Sequence, residues 1–229
     1  MMAPYDVIGF DADDTLWQCE DDFRYATHRF VELLGPFSSG GVDITAALTA
    51  TERKNLGTYG YGVKGFTINM LETALTVSDN TVPAYVIAEL VQIGRDLLEA
   101  PVKLLPHVSE VLERVGARHK LVLITKGDLQ HQTHKISTSG LTHHFDHLEI
   151  VLEKDTNTYT GLLQRWGVAP DRFLMVGNSV HSDVLPVMAI GAHAVHVPYH
   201  LTWELDQVNH NQLVTEIPSL LALPELLFR

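Results

Sequence analysis

Apolar residues fall in two rhythms along this chain, and the change comes near Pro101. Val7-Ile8-Gly9-Phe10 is a short continuous apolar run and predicts a buried strand over Asp6 to Phe10. Helical spacing follows. Phe23, Ala26, Phe30, Leu33 and Leu34 recur on one face of a helix over Glu20 to Leu34, which Gly35-Pro36 stops. A second helix, Ile44 to Leu56, starts behind Asp43 as N-cap and is expected to end at Gly57. Thr67 to Thr76 and Pro83 to Leu98 are two more, with Pro83 suited to a first turn. The stretch Gly57 to Gly65 between the second and third helices is expected to be a glycine-rich loop.

Beyond Pro101 short apolar runs alternate with amphipathic stretches. Strands are expected at Leu121 to Thr125, Leu148 to Leu152, Phe173 to Val176 and Ala194 to Val197. Helices are expected at His107 to Val115, Leu129 to Ser139, Asn157 to Trp166 and Asp183 to Ile190. This alternation predicts an α/β fold, a Rossmann-like parallel sheet with right-handed crossovers that binds ligands beyond the strand carboxyl ends. Residues 1–16 and 101–229 form that core. Residues 17–100 form an inserted helical lobe that returns through Pro101-Val102-Lys103-Leu104-Leu105-Pro106.

Composition narrows the function classes. A chain of 229 residues with 45% hydrophobic and 19% charged residues can bury a large core and is not disordered. A net charge of -12 argues against nucleic acid, and an anionic substrate must find a local positive site. The single cysteine, Cys19, excludes an internal disulfide framework and fits a reducing compartment. Met1 to Asp6 lacks the basic and apolar regions of a leader, and no run is long enough to span a bilayer. The expected compartment is the cytoplasm.

Four expected strand ends carry reactive side chains. The first opens into Asp11-Ala12-Asp13-Asp14-Thr15. Period-two geometry predicts that Asp11 and Asp13 leave the strand pointing the same way, and such crowding asks for a cation or a proton-transfer role. Thr125-Lys126-Gly127 ends the second strand with a hydroxyl, a cation and backbone N–H groups for an oxyanion. Glu153-Lys154-Asp155 follows the third, and Gly177-Asn178-Ser179-Val180-His181-Ser182-Asp183 follows the fourth. Each alone could be a turn cap or a solvated charge. A parallel sheet delivers all four to one edge, which argues for a shared site.

The order Asp-x-Asp-x-Thr, strand-terminal Thr, Lys, then Gly-Asn with a distal Asp resembles the haloacid dehalogenase superfamily of hydrolases over essentially the whole chain. The helical insertion resembles that superfamily's C1-type cap, and the chain looks most like its phosphoglycolate phosphatase-like branch. The resemblance implies that Asp11 is a nucleophile forming an aspartyl-phosphate and Asp13 the general acid and base. It implies that Thr125, Lys126 and Gly127 bind phosphoryl oxygens and that Lys154 neutralises charge. Asp11, Asp13, Asn178 and Asp183 are the implied ligands of Mg2+. Asn178 stands where the family usually has an Asp, so Asp183 must carry more of the metal binding.

The implied function is hydrolysis of a small phosphorylated metabolite. A haloacid dehalogenase shares the nucleophile but needs no proton carrier two residues later, so Asp13 favours phosphoryl transfer. A phosphomutase uses the same carboxylate pair, and a non-catalytic binding protein could inherit the fold. Tyr59, Tyr61 and Lys64 lie in the expected glycine-rich loop, where Tyr61 and Lys64 are candidate specificity residues and Lys64 a handle for an anion. Among 13 histidines, His131, His134, His143, His144 and His147 have loosely metal-like spacing but no cysteine partner, and are expected on the surface. His181 lies inside the last motif. Trp17 is expected in the flap after the first motif or in simple packing.

Overall fold

The computed structural model describes residues 5–38, 40–206 and 214–228. The first four residues, read above for a leader, lie outside that set. The described elements run β1 (Val7–Phe10), α1 (Glu20–Leu34), α2 (Ile44–Tyr59), α3 (Val63–Val77), α4 (Ala84–Glu99) and α5 (Val108–Gly116). They continue with β2 (Lys120–Lys126), α6 (Leu129–Thr138), β3 (His147–Val151), α7 (Thr156–Trp166) and β4 (Phe173–Gly177). The last are α8 (Leu185–Ala189), β5 (His193–His196), β6 (Thr215–Glu216) and α9 (Leu223–Leu227).

Among the described residues the strands form a six-stranded parallel sheet in the order β3-β2-β1-β4-β5-β6. The chain reverses direction across the sheet at β1, and such switch points place ligands at the strand carboxyl ends. All four β1 residues are buried, which is why its sequence is a continuous apolar run. Alternation splits them between the two faces. Ile8 and Phe10 pack with Leu121, Leu123, Leu174 and Val176, while Val7 packs with Val122, Ile124, Phe173 and Met175 on the other. Gly9 shares that second face, and a Cβ there would lie 2.8 Å from Phe173 Cζ and 3.0 Å from Met175 Sδ.

Two units emerge from the contacts. One holds the chain up to Cys19, Val102–Lys126 and the residues from Gln132 onward. The other holds Glu20–Pro101 together with the short segment Gly127–His131. Within the helical unit Phe30, Leu34, Leu48, Met70, Leu90 and Ile93 form a core of their own. A buried polar link joins α2 to α3, since Asn55 Nδ2 donates to Asn69 Oδ1 at 2.9 Å and to Glu72 Oε2 at 2.8 Å. No described helix is long and apolar enough to cross a membrane.

Three departures from the sequence pattern have local causes. The glycine-rich loop shrinks to residues 60–62. Helix α2 runs past Gly57 because Tyr59, its last residue, donates its hydroxyl to Glu72, while buried Val63 and Phe66 start α3 early. The helix expected from Asp183 is instead a π-helical turn, Val180–Val184, followed by α8. Pro186 suits the first turn of α8 and cannot donate further inside a helix. Finally, β6 and α9 follow the last expected strand, and β6 is two exposed residues with no apolar signal.

Gly9→Ala is expected to cost about 1–3 kcal/mol, because a central-strand Cβ must displace an aromatic ring in a packed face. Equilibrium urea unfolding measures it. Asp155 caps α7 by accepting from Thr158 N at 2.8 Å, and that bond together with other local ones lowers its carboxyl pKa. A depressed carboxyl stabilises the fold above its unfolded pKa and loses that contribution as pH falls through its folded value. Asp155→Ala is therefore expected to cost about 1 kcal/mol near neutral pH, with the cost vanishing in acid, as parallel melts at neutral and acidic pH will show.

Candidate active site

Asp11 lies just past β1 and remains stitched to β4, its N–H donating to Val176 O at 2.9 Å. Its carboxylate is held on both sides. Thr15 Oγ1 donates to Oδ2 at 2.9 Å, and Lys154 Nζ donates to Oδ1. The same ammonium donates to Asp183 Oδ1 at 2.8 Å. Lys154 arrives from the segment after β3 and Asp183 from the π-helical turn after β4. The other Asp183 oxygen accepts from Ser179 N at 3.0 Å. It sits so close under the strand end that a Cβ on Gly177 would lie 2.2 Å from it, so only glycine fits there.

Asp11, Lys154 and Asp183 are all buried, at 6%, 3% and 1% exposure. Two carboxylates thus face one ammonium, which leaves an uncompensated negative charge out of water. Burial, opposed by Lys154 and reinforced by Asp183, pushes the Asp11 carboxyl up to about 7. Burial works against the charged form of Lys154 too, but Asp11 and Asp183 outweigh it and raise its pKa.

Asp13 is held by different groups. Extended backbone stops at Phe10, and the chain turns at once, with Leu16 N donating to Ala12 O at 2.8 Å and Asp14 in the left-handed region at φ 61°. Strand alternation therefore does not reach Asp13. Lys135 Nζ donates to both its oxygens, at 2.6 and 2.8 Å. Trp17 Nε1 donates to Oδ1 at 2.6 Å and Gln132 Nε2 to Oδ2 at 2.9 Å. Burial raises the Asp13 carboxyl, but these donors, Lys135 foremost, outweigh it and hold the pKa below the ordinary range.

The remaining expected residues are placed as follows. Thr125 is buried at the end of β2, its Oγ1 accepting from Gln132 Nε2 at 3.1 Å. Lys126 Nζ donates to Ser182 Oγ at 2.8 Å and to Asp206 Oδ1 at 3.3 Å. Gly127 opens the segment that groups with the helical unit. Asn178 is half-buried at the end of β4, and its N–H donates to Thr15 Oγ1 at 3.0 Å. Lys64 spends its charge within the helical unit on Asp128, whose two carboxylate oxygens both lie at 3.0 Å. Tyr61 is half-buried in the 60–62 turn. His181 is exposed, 3.8 Å from Asp206 Oδ1. His134, His143 and His147 are exposed, and His147 stacks on Trp166.

The sequence pattern did not single out Gln132 or Lys135. Its one available signal was an inward amide and an inward amine three positions apart, beside buried Ile136 on the same helix face. Trp17 is packed, fully buried in the core, and its indole N–H also serves Asp13, a role the sequence pattern did not suggest.

Among the described residues no group of three or more His, Cys, Asp or Glu side chains is placed to hold a metal ion. The hard oxygen donors here are two carboxylates, Asp11 and Asp183, with the Asn178 amide and the Asp13 carbonyl nearby in sequence. That set and its surplus negative charge suit a cation such as magnesium, which takes few protein ligands and keeps waters.

Comparison with known proteins agrees with this geometry. The haloacid dehalogenase-like hydrolase family matches residues 5–191. A glyceraldehyde 3-phosphate phosphatase from Methanothermobacter thermautotrophicus is 32% identical over 126 residues, covering 52% of this chain and 56% of that protein's length. A haloacid dehalogenase-like family hydrolase from Xanthomonas campestris has 38% identity and a TM-score of 0.87, covering 99% of this chain and 95% of that one. An L-2-haloacid dehalogenase from Xanthobacter autotrophicus shares the fold at 17% identity and a TM-score of 0.65, covering 97% and 98%. With its strand-end carboxylates, its buried lysine and a family match across most of its length, the chain belongs to the haloacid dehalogenase-like hydrolases.

Proposed function

We propose that the protein is a cytoplasmic phosphatase that hydrolyses a small phosphorylated metabolite through an aspartyl-phosphate on Asp11. The observation that carries this is Asp13. A halide leaves as a stable anion, whereas an alkoxide leaving from phosphorus needs a proton, and Asp13 stands two residues from the nucleophile to supply it. The partial likeness to a glyceraldehyde 3-phosphate phosphatase supports the same reading.

In the first step an Asp11 oxygen attacks phosphorus as the ester P–O bond breaks. The electron pair leaves on the alcohol oxygen, which takes a proton from Asp13, a carboxylate that first receives that proton from solvent or from the substrate's own phosphate as substrate binds. In the second, water attacks phosphorus and gives its proton to Asp13, while the P–O bond to Asp11 breaks and phosphate departs. Thr125 and the N–H groups of Lys126 and Gly127 hold phosphoryl oxygens in this scheme. Lys154 offsets charge on nucleophile and transferring group, a task that is largely electrostatic in phosphoryl transfer. Hydrolases of this family generally use magnesium. Asp11, the Asp13 carbonyl, Asn178 and Asp183 would hold it, and when bound it supplies further neutralisation of phosphoryl charge. The helical unit serves as the cap, with Tyr61 and Lys64 contributing to selectivity.

A panel of phosphorylated metabolites, including glyceraldehyde 3-phosphate and phosphoglycolate, tested beside 2-chloropropionate with and without magnesium, is expected to show phosphate release and no chloride release. Asp11→Asn is expected to lower phosphate release by more than about a thousandfold. Chloride release, or full turnover by Asp11→Asn, overturns the proposal. Asp183→Ala is expected to lower magnesium-dependent turnover by at least about ten- to a hundredfold, and Asn178→Ala by less. Magnesium titrations of activity on both variants check the order, and an unaffected Asp183→Ala refutes the metal assignment.

A further inference from the structure

Lys135 has no part in the scheme above, yet it is only 8% exposed on the inward face of α6. A buried lysine is rare, and a well-packed apolar side chain would serve the fold as well or better. What Lys135 does is grip Asp13. Its ammonium reaches both carboxylate oxygens, at 2.6 and 2.8 Å, and each oxygen carries one further donor, Trp17 Nε1 on one and Gln132 Nε2 on the other. Two fixed oxygens leave the Asp13 side chain no free torsion.

Gln132, three residues earlier on the same helix face, extends the hold. Its amide nitrogen is shared among Asp13 Oδ2 at 2.9 Å, Thr125 Oγ1 at 3.1 Å and Lys126 O at 2.9 Å, which ties the β1 exit to the β2 end. The other end of that amide, Gln132 Oε1, is buried with no hydrogen-bond partner among the described residues. An orphaned buried acceptor costs about 1–3 kcal/mol, a cost a side chain serving only packing would not carry.

We infer that Lys135 is a positioning residue for Asp13, holding its carboxylate in one orientation with the help of Gln132 and Trp17. The inference rests on the reading of Asp13 as proton carrier. Lys135 acts through Asp13 and not on the phosphoryl group, so its effect falls on turnover and not on substrate binding.

The test is a double-mutant cycle on the full chain with magnesium, using para-nitrophenyl phosphate, with thermal unfolding to verify folding. Lys135→Met is expected to lower kcat about ten- to a hundredfold and leave KM within about twofold. In an Asp13→Asn background the same substitution is expected to change kcat by less than about twofold, since the residue it positions is already gone. A parental kcat in Lys135→Met, a change confined to KM, or an undiminished loss in the Asp13→Asn background overturns the inference. If Lys135→Met does not fold, Lys135→Gln carries the same cycle. Asp11→Asn is run alongside. Parental turnover there defeats the phosphatase reading itself, whereas an inert Asp11→Asn with a parental Lys135→Met defeats only the role of Lys135.

Discussion

One ammonium between two buried carboxylates organises this molecule. Lys154 Nζ lies within hydrogen-bond reach of both Asp11 and Asp183, and all three side chains are almost fully removed from water. Burying any one alone would carry a heavy desolvation penalty, and burying a pair rarely recovers it. The three come from the segments after β1, β3 and β4, so they can meet only if the sheet is parallel and its strand order puts those ends together. The continuous apolar run of β1, the crowding of Gly177 by Asp183 and the N–H of Ser179 aimed at Asp183 all serve that meeting.

That arrangement separates two carboxylates that sequence places side by side. Asp11 and Asp13 are one residue apart from being neighbours, yet each answers to its own lysine. Asp11 shares Lys154 with a second carboxylate, and burial keeps its pKa high. Asp13 is gripped at both oxygens by Lys135, with an indole and an amide besides, and its pKa is low. The same residue type thereby acquires two opposite electrostatic settings within one turn of chain.

Legibility in the sequence followed physical range. β1, β2 and β4 read as continuous apolar runs because both sheet faces are covered there, while the edge strand β3 is only partly buried, and α1 was readable to its ends from its spacing and Gly35-Pro36. The residues meeting at Lys154 were readable because each lies within six residues of a strand's carboxyl end. Lys135 and Gln132 were not, because a helix hides its inward polar residues among the outward ones and only packing distinguishes them. The end of α2 was misplaced for the same reason: the Tyr59 to Glu72 bond that carries the helix past Gly57 is a tertiary contact. The π-helical turn carries no sequence signal, because it depends on Asp183 turning inward beneath Gly177.

The shell around Asp13 also bears on how one fold serves two chemistries. A haloacid dehalogenase of known structure shares the frame, so the sheet alone does not decide between halide and alkoxide. What differs is whether the leaving atom needs a proton. Supplying one asks more of a carboxylate than proximity, because an unsupported side chain on a tight turn would otherwise sample several rotamers and spend little time correctly aimed. Here a lysine, a glutamine and a tryptophan from two separate chain segments converge on that one side chain, at the cost of a buried ion pair and an orphaned amide oxygen. So large an outlay on orientation is intelligible where a proton must be moved, and unnecessary where a halide simply departs.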